Sequence, residues 1–313
     1  TGFRKSSVNR VNLEIGSLWD FLFGGTLVIE KMACEGGELI MARKPVDEND
    51  TTAHVAFDLS TIFDRLKKNA IRFNIQEMSF LDFNLTLLND SAHAPTLIKH
   101  VEFRARDLYL SADSILKRNT YIEFGLPSQQ IDLPNGPTTI KFDTLFFSTI
   151  DNSIQINELE VLTSDQESGS DYRITSDKVR VAYFDFESLY NKGIAKVDTV
   201  FLGRSRLEAK VNVRKTATTG NRKEAEYHSL PYILVRNLVV NQLAADVRLQ
   251  REDIGNSFAI HNSFVTVQQL IHNPDSSQRF SLKNFDVLVS DYETFLNNKN
   301  TSITFDTIRL HTH

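Results

Sequence analysis

Along most of this chain, two apolar residues alternate with others, two mostly polar residues follow, and two more apolar residues alternate beyond them. Ten stretches fit, with apolar side chains at positions 0, 2, 5 and 7 of each. Three share an Asp-Thr pair: Ile140-x-Phe142, Asp143-Thr144, Leu145-x-Phe147; Ala195-x-Val197, Asp198-Thr199, Val200-x-Leu202; and Ile303-x-Phe305, Asp306-Thr307, Ile308-x-Leu310. Two use a basic residue and Asn: Ile233-x-Val235, Arg236-Asn237, Leu238-x-Val240, and Phe280-x-Leu282, Lys283-Asn284, Phe285-x-Val287. Phe103-x-Ala105, Arg106-Asp107, Leu108-x-Leu110 is close to these, and looser copies begin at Leu27, Phe73, Ile154 and Ile174.

On a helical wheel those four positions fall near 0°, 200°, 140° and 340°, at about 100° per residue, so a helix would split them between opposite faces. In a strand each half alternates with period two, and the central polar pair shifts the phase by one residue. A β-bulge at the pair would return both apolar halves to one face, bending and twisting the strand. Without a bulge the second half would face the other side of the sheet, as when a strand passes between layers. The predicted fold is mainly β: a long, strongly twisted or curled antiparallel sheet of repeated bulged strands with a few short helices, its apolar face forming an open groove or a closed core.

Short helical signals punctuate the strands. Ser290-Asp291-Tyr292-Glu293 has the form of a capping box ahead of Phe295-Leu296, Asp185 to Tyr190 holds the matching place earlier, and Ser60 to Lys68 sets Ile62, Phe63 and Leu66 on one side. The stretch from Phe280 to Leu310 parallels that from Ile174 to Leu202, with offsets of 280 − 174 = 106 and 303 − 195 = 108, which suggests duplication. Breaks rich in turn formers or charge fall at Pro45 to Thr52, Leu133 to Thr139, Ser164 to Asp171, Lys215 to Glu226 and His272 to Gln278, Lys215 to Lys223 being the most loop-like. None has the length of an interdomain linker. Residues 1–313 are therefore read as a single repeat-built β domain, with 164–171 as the one place where a boundary could fall.

Length and composition are compatible with that fold: 313 residues, 41% hydrophobic and 24% charged, lie in the range of ordinary globular proteins that bury a sizeable core. A formal net charge of −5 argues against nucleic acid as partner. The lone Cys34 rules out an intramolecular disulfide and a multi-cysteine metal cluster, and reads as a small buried side chain. No apolar run approaches the ~18 residues that span a bilayer, so the chain is expected to be soluble. Because it begins at Thr1, it is read as a mature or trimmed piece whose signal or anchor has been removed.

Candidate chemistry is sparse. His311-x-His313 has metal-like spacing on a strand, but two ligands at a chain end are more simply solvated side chains, so no metal and no cofactor are expected. A catalytic triad has no G-x-S-x-G elbow to anchor it. Asp143, Asp198 and Asp306 could be general acids or bases, yet their equivalent places in several copies favour an architectural role, hydrogen bonding to backbone at a strand irregularity. Gly36-Gly37 reads as a turn joining two N-terminal strands, and Trp19, in Leu18 to Phe23, as a core anchor or else part of an exposed apolar patch near a membrane or partner.

The run Val11 to Leu18, its continuation Gly25-Thr26-Leu27-Val28-Ile29, the strand Leu39-Ile40-Met41-Ala42-Arg43, and the helix-then-strands of Leu59 to Leu87 together resemble the AsmA-like family, related to repeating β-groove proteins of bacterial envelopes. The resemblance covers most of the chain and rests on pattern. It implies a periplasmic or cell-envelope protein of a Gram-negative bacterium, tethered by an N-terminal membrane helix that this chain lacks, and linked to lipid transport or outer-membrane homeostasis. The expected protein is not an enzyme. Its apolar groove or core would be lined by Phe103, Leu108, Leu110, Ile140, Phe142, Leu145, Phe147, Val197, Val200, Leu202, Val235, Leu238, Phe285, Phe305, Ile308 and Leu310, and its ligand would be phospholipid or another acyl chain. The alternative is a structural or adhesive β-repeat protein that binds protein or carbohydrate through its loops.

Overall fold

A computed structural model of the protein describes residues 2–17, 19, 22–23, 26–42, 72–88, 95–110, 121–132, 137–165, 169–185, 188, 194–212, 232–251, 254–273, 280–296 and 301–312. Nearly all of them are strand: β1 (Gly2–Ser17), β2 (Thr26–Ala42), β3 (Arg72–Leu88), β4 (Thr96–Leu110), β5 (Tyr121–Asp132), β6 (Thr138–Ser148), β7 (Ser153–Asp165), β8 (Ser170–Asp185), β9 (Ile194–Asn212), β10 (Tyr232–Arg251), β11 (Ile254–His272), β12 (Phe280–Ser281), β13 (Asn284–Leu296) and β14 (Thr301–His311). They follow the order of the chain in one open sheet, with only β12 off the path, beside β11. The sheet is mixed: β2 pairs β3 and β9 pairs β10 in parallel, whereas the sequence pointed to antiparallel pairing throughout. Parallel neighbours need a crossover connection of a dozen or more residues. The two parallel pairs flank the two longest stretches between strands, Ala42 to Arg72 and Asn212 to Tyr232, which contain the Pro45 and Lys215 breaks.

The chain divides into two compact units, one of residues 1–134 and 144–152, the other of residues 135–143 and 153–313. Strand β6 passes from one to the other, and the division falls between Asp143 and Thr144, the polar pair of its repeat. Residues 164–171 lie within the second unit, where Ser164 pairs with Asp171 and Asp165 with Ser170 in the β7–β8 hairpin.

The phase slip inferred from the sequence is present as a break in the ladder at the polar pair. Between β3 and β4, Ile75 pairs with Leu108 and Glu77 with Arg106, and the intervening Gln76 and Asp107 are skipped, Asp107 in a left-handed conformation at φ 55°. The parallel β2–β3 ladder skips Glu30 and Gln76 at the same level. In the second unit the β8–β9 ladder skips Tyr183 and Asp198, the β9–β10 ladder Asp198 and Arg236, and the β10–β11 ladder Arg236 and Gln269. Tyr183 and Gln269 are left-handed, at φ 54° and 53°. These are not one-sided bulges. Facing strands yield at the same level, so the register beyond the crease is the register before it: Leu234 pairs with Ile271 and Leu238 with Val267, and both pairs sum to 505.

Burial shows what the crease achieves. Ala105 and Leu108 are both buried although three residues apart, as are Ser176 and Val179, while Val235, Val240 and Ala245 are buried at intervals of five. Uninterrupted alternation would set members of each odd interval on opposite faces. In the first unit Ile29, Ile75 and Leu108 form a cluster against which Met32 and Met78 pack from the far side of the crease. Tyr183 facing Asp198 recurs as Asp291, at φ 56°, facing Asp306, and 291 − 183 and 306 − 198 both equal 108, the offset seen in the sequence.

Several local expectations are corrected. The capping-box sequence at Ser290 is part of β13, where Asp291 supplies the crease and Tyr292 pairs with Phe305, so tertiary pairing overrides the local helical signal. Gly36-Gly37 lies inside β2 instead of forming a turn: Gly36 is left-handed at φ 61°, and a Cβ on Gly37 would come within 2.7 Å of the Phe83 ring. The few short helices expected between strands are not shown: at the Asp185 signal only Ser188 is described, its N–H donating to Asp185 Oδ1 at 2.9 Å. The helix expected at 60–68 lies outside the described residues.

Left-handed backbone costs an ordinary L-residue about 1–2 kcal/mol, and a β-branched one tolerates it least. Asp107→Gly is therefore expected to match or exceed the wild type in stability, and Asp107→Val to fall below Asp107→Gly by about 1–2 kcal/mol. Urea unfolding midpoints compare the three, and equal midpoints for the Gly and Val variants would contradict a left-handed crease at this position.

Candidate functional site

Directly paired residues share a face, so the registers of the second unit define its surface row by row. One row reads Ile154, Val181, Val200, Leu238, Val267 and Phe285 across β7, β8, β9, β10, β11 and β13. The next reads Ile156, Val179, Leu202, Val240, Val265, Val287 and Leu310, reaching β14. Beyond the crease at Asp177 and Arg204 a third row joins Val161, Ile174, Leu207, Ala245, Ile260, Tyr292 and Phe305. All six side chains of the first row are half-buried. In the third row Ile174 is 43% exposed and Phe305 48%. Tyr292 stacks on Phe258 and lies 5.9 Å, centroid to centroid, from Phe305.

The residues proposed from the sequence divide between the units. In the first, Leu108 is buried, Phe103 packs near Phe80, Leu145 and Phe147 are half-buried, and Leu110 is opposite Phe73 in register. In the second, Phe142, Val197 and Val235 are buried, Ile140, Val200, Leu202, Leu238, Phe285 and Ile308 are half-buried, and Phe305 and Leu310 are exposed. The rows join Val200, Leu238 and Phe285, and separately Leu202 and Leu310. They also include Val181, Val267, Val179 and Val265, which the sequence reading had not singled out although each lies one strand from a residue it had.

The opposite face of the second unit is mixed, carrying Phe201, Val239, Phe264 and Leu288 as well as polar rows. Glu160, Thr175 and Arg206 form one of its rows, and with Glu158, Arg173, Asp177 and Arg204 they line an open depression of about 540 Å³. Its charges are internally matched. Glu160 contacts Lys141 and Arg173, Arg173 and Arg206 both reach Glu208, and Arg204 pairs with Asp177 at 2.9 Å. Asp177 also accepts the backbone N–H of Arg204 at 2.8 Å, a donor that the crease leaves out of the ladder. Asp198 instead accepts from the Arg236 guanidinium at 2.6 Å and from Thr199 at 3.0 Å. These partners give the depression a structural role at the crease.

Among the described residues no three His, Cys, Asp or Glu side chains come together to hold a metal ion, and His313 lies outside them. Cys34 is buried, and burial pushes its thiol pKa up, away from the reactive thiolate. Trp19 is not a core anchor: it is 70% exposed, stacked on Phe23 at 5.6 Å, with Leu22 also exposed. It follows β1, whose Val11, Leu13 and Ile15 are themselves exposed, so among the described residues no core lies beside that strand for the indole to enter. Among the described residues no helix is long and apolar enough to cross a membrane. No protein-family model and no curated protein matches the chain.

The hydrogen bond from the Arg204 side chain, opposed in part by burial, holds the Asp177 carboxyl below its usual pKa. A depressed carboxylate adds stability that is fully present above the unfolded value, about 3.9, and is lost as pH falls through the folded one. Asp177→Ala is expected to cost about 1 kcal/mol at pH 7, a value reduced for solvent screening. Its deficit should shrink below about pH 4. Urea unfolding of both proteins at neutral and acidic pH tests this, and a deficit unchanged in acid would remove Asp177 as its cause.

Proposed function

We propose that the apolar face of the second unit is a binding surface for acyl chains, and that the protein is a non-enzymatic component of a bacterial cell envelope that holds or passes lipid. The observation that carries this reading is the continuity of the apolar rows across successive strands, half-buried and with no polar residue in the first of them. From β7 to β13 that row makes five strand steps of about 4.8 Å, or roughly 24 Å. An acyl chain in one leaflet of a bilayer spans about 15 Å, so a row is long enough to take one lengthwise. Each methylene so sheltered contributes about 0.8 kcal/mol. The likeness to AsmA-like proteins supports the same reading and adds the periplasm, a membrane tether and outer-membrane homeostasis to it.

Mass spectrometry of organic extracts from the protein purified out of cells is expected to find phospholipid or free acyl chains, and the extracted protein to bind an apolar dye. Phe305→Asp, on an exposed position of the third row, should weaken dye binding with a stability change within about 0.5 kcal/mol. Phe142→Asp should lower stability by several kcal/mol, because it buries a carboxylate without a partner. A wild-type protein that neither carries lipid nor binds dye would sink the proposal.

A further inference from the structure

We propose that the crease running across β8, β9, β10 and β11 is an oligosaccharide-binding platform on the face away from the apolar rows, with Tyr183 as the ring on which a pyranose stacks. Left-handed backbone is costly for a bulky residue. Outside glycine, the other described left-handed positions hold Asp, Asn, His, Glu or Gln. The crease itself does not call for a tyrosine, because the matching position 108 residues further on is Asp291. Burial does not offset the cost either, since Tyr183 is 70% exposed. A strained backbone that holds an aromatic ring out in solvent points to a use for the ring.

The groups around it fit a sugar. Asp198, which faces Tyr183 in the crease, accepts from Thr199 and from Arg236 and so turns to the face of Thr199, opposite Val200. Gln269 continues this line on β11, and the next row on the same face joins Ala182, Thr199, Asn237, Gln268 and Asn284. Arg236, Gln268 and Gln269 are exposed, and Asn237 is half-buried. Among the described residues the Tyr183 hydroxyl and the side-chain amides of Asn237 and Gln269 have no hydrogen-bond partner, while Gln268 accepts from Asn284 at 3.0 Å and keeps its own NH2 group free. A pyranose offers a flat C–H face, which an aromatic ring covers, and a rim of hydroxyls that both donate and accept. Carboxamides donate and accept in one plane and match that rim. The Asp198–Arg236 pair, closed at 2.6 Å, neutralises itself, so the platform has no net charge to draw a phosphate or a metal ion. From β8 to β11 the line makes three strand steps of about 4.8 Å, or roughly 14 Å, the length of a few sugar rings.

Isothermal titration of the full chain with maltohexaose, cellohexaose and chitohexaose tests the proposal. At least one of the three is expected to bind with a Kd of about 1 mM or tighter. Tyr183→Phe, which keeps the ring, should retain that binding, and Tyr183→Asn should weaken it about tenfold or more. Asparagine tolerates left-handed backbone, so the urea midpoint of Tyr183→Asn should be no lower than that of the wild type, which separates loss of the ring from loss of the fold. No binding of any of the three sugars at about 10 mM would overturn the proposal, as would a Tyr183→Asn variant that binds as tightly as the wild type. Apolar-dye binding should be unchanged in Tyr183→Asn, because the ring lies on the other face, so the lipid and sugar readings can fail separately.

Discussion

A β-strand shows its side chains to alternate faces, and this period of two is the constraint on which the rest of the molecule depends. Strands of 16 to 20 residues, such as β8 and β10, must keep one face apolar over a length at which twist carries successive residues out of line with their neighbours. The crease is the means. Skipping one residue in each facing strand moves the alternation by one place and leaves the register intact, so the apolar face continues after a local bend. A bulge on one strand alone displaces the pairs that follow it, as happens between β1 and β2, where the pairs change from a sum of 44 at Phe3 and Met41 to 45 from Lys5 and Ile40 through Glu14 and Lys31.

A crease leaves backbone N–H and C=O groups without their ladder partners, and buried groups of that kind must be satisfied locally. This explains why the break is polar in sequence. Asp177 accepts the Arg204 N–H, Ser176 Oγ donates to the Lys178 carbonyl at 3.1 Å, and the buried Ser263 donates to the Leu243 carbonyl at 3.0 Å where the β10–β11 ladder lapses. In β4, whose His100 is left-handed at φ 54°, the Gln129 side chain takes the place of a strand neighbour: its Oε1 accepts the Lys99 N–H at 3.2 Å and its amide donates to the Lys99 carbonyl. Asp and Asn, which tolerate left-handed backbone best, supply Asp82, Asp107, Asn152 and Asp291 among the left-handed positions.

More of this was legible in the sequence than the strands themselves. The Leu27 and Phe73 copies are 46 residues apart, and 46 is the offset of the parallel β2–β3 register; Ala195 and Ile233 are 38 apart, the offset of β9–β10. The Phe73 and Phe103 copies pair by their ends, Phe73 with Leu110, and those of Ile154 and Ile174 likewise, Ile154 with Val181. Other copies were hidden by one substitution each. Val265-x-Val267, Gln268-Gln269, Leu270-x-His272 ends in a histidine, which is buried against Phe280, and Val287-x-Val289, Ser290-Asp291, Tyr292-x-Thr294 ends in a threonine and also spells a helix cap. The exposure of Trp19 could not be read from its apolar neighbours, because an apolar hexapeptide looks the same whether or not a second layer exists to receive it.

The symmetry of the pattern accounts for the mixed sheet. A motif with apolar positions 0, 2, 5 and 7 is unchanged by reversal, so two copies match crease to crease when antiparallel, and any two copies match by translation when parallel. Direction is then free to be set by the connection. Short links such as the one from Asp165 to Ser170 return the chain antiparallel, while the long ones after Ala42 and Asn212 carry it back to begin a parallel neighbour. An ordinary alternating strand accepts many registers that differ by two residues, whereas a strand with a phase slip mismatches its partner between the two slips in every register but the one that aligns them. The polar pair therefore bends the strand and also selects its register, which lets a sheet of such long strands choose a single pairing.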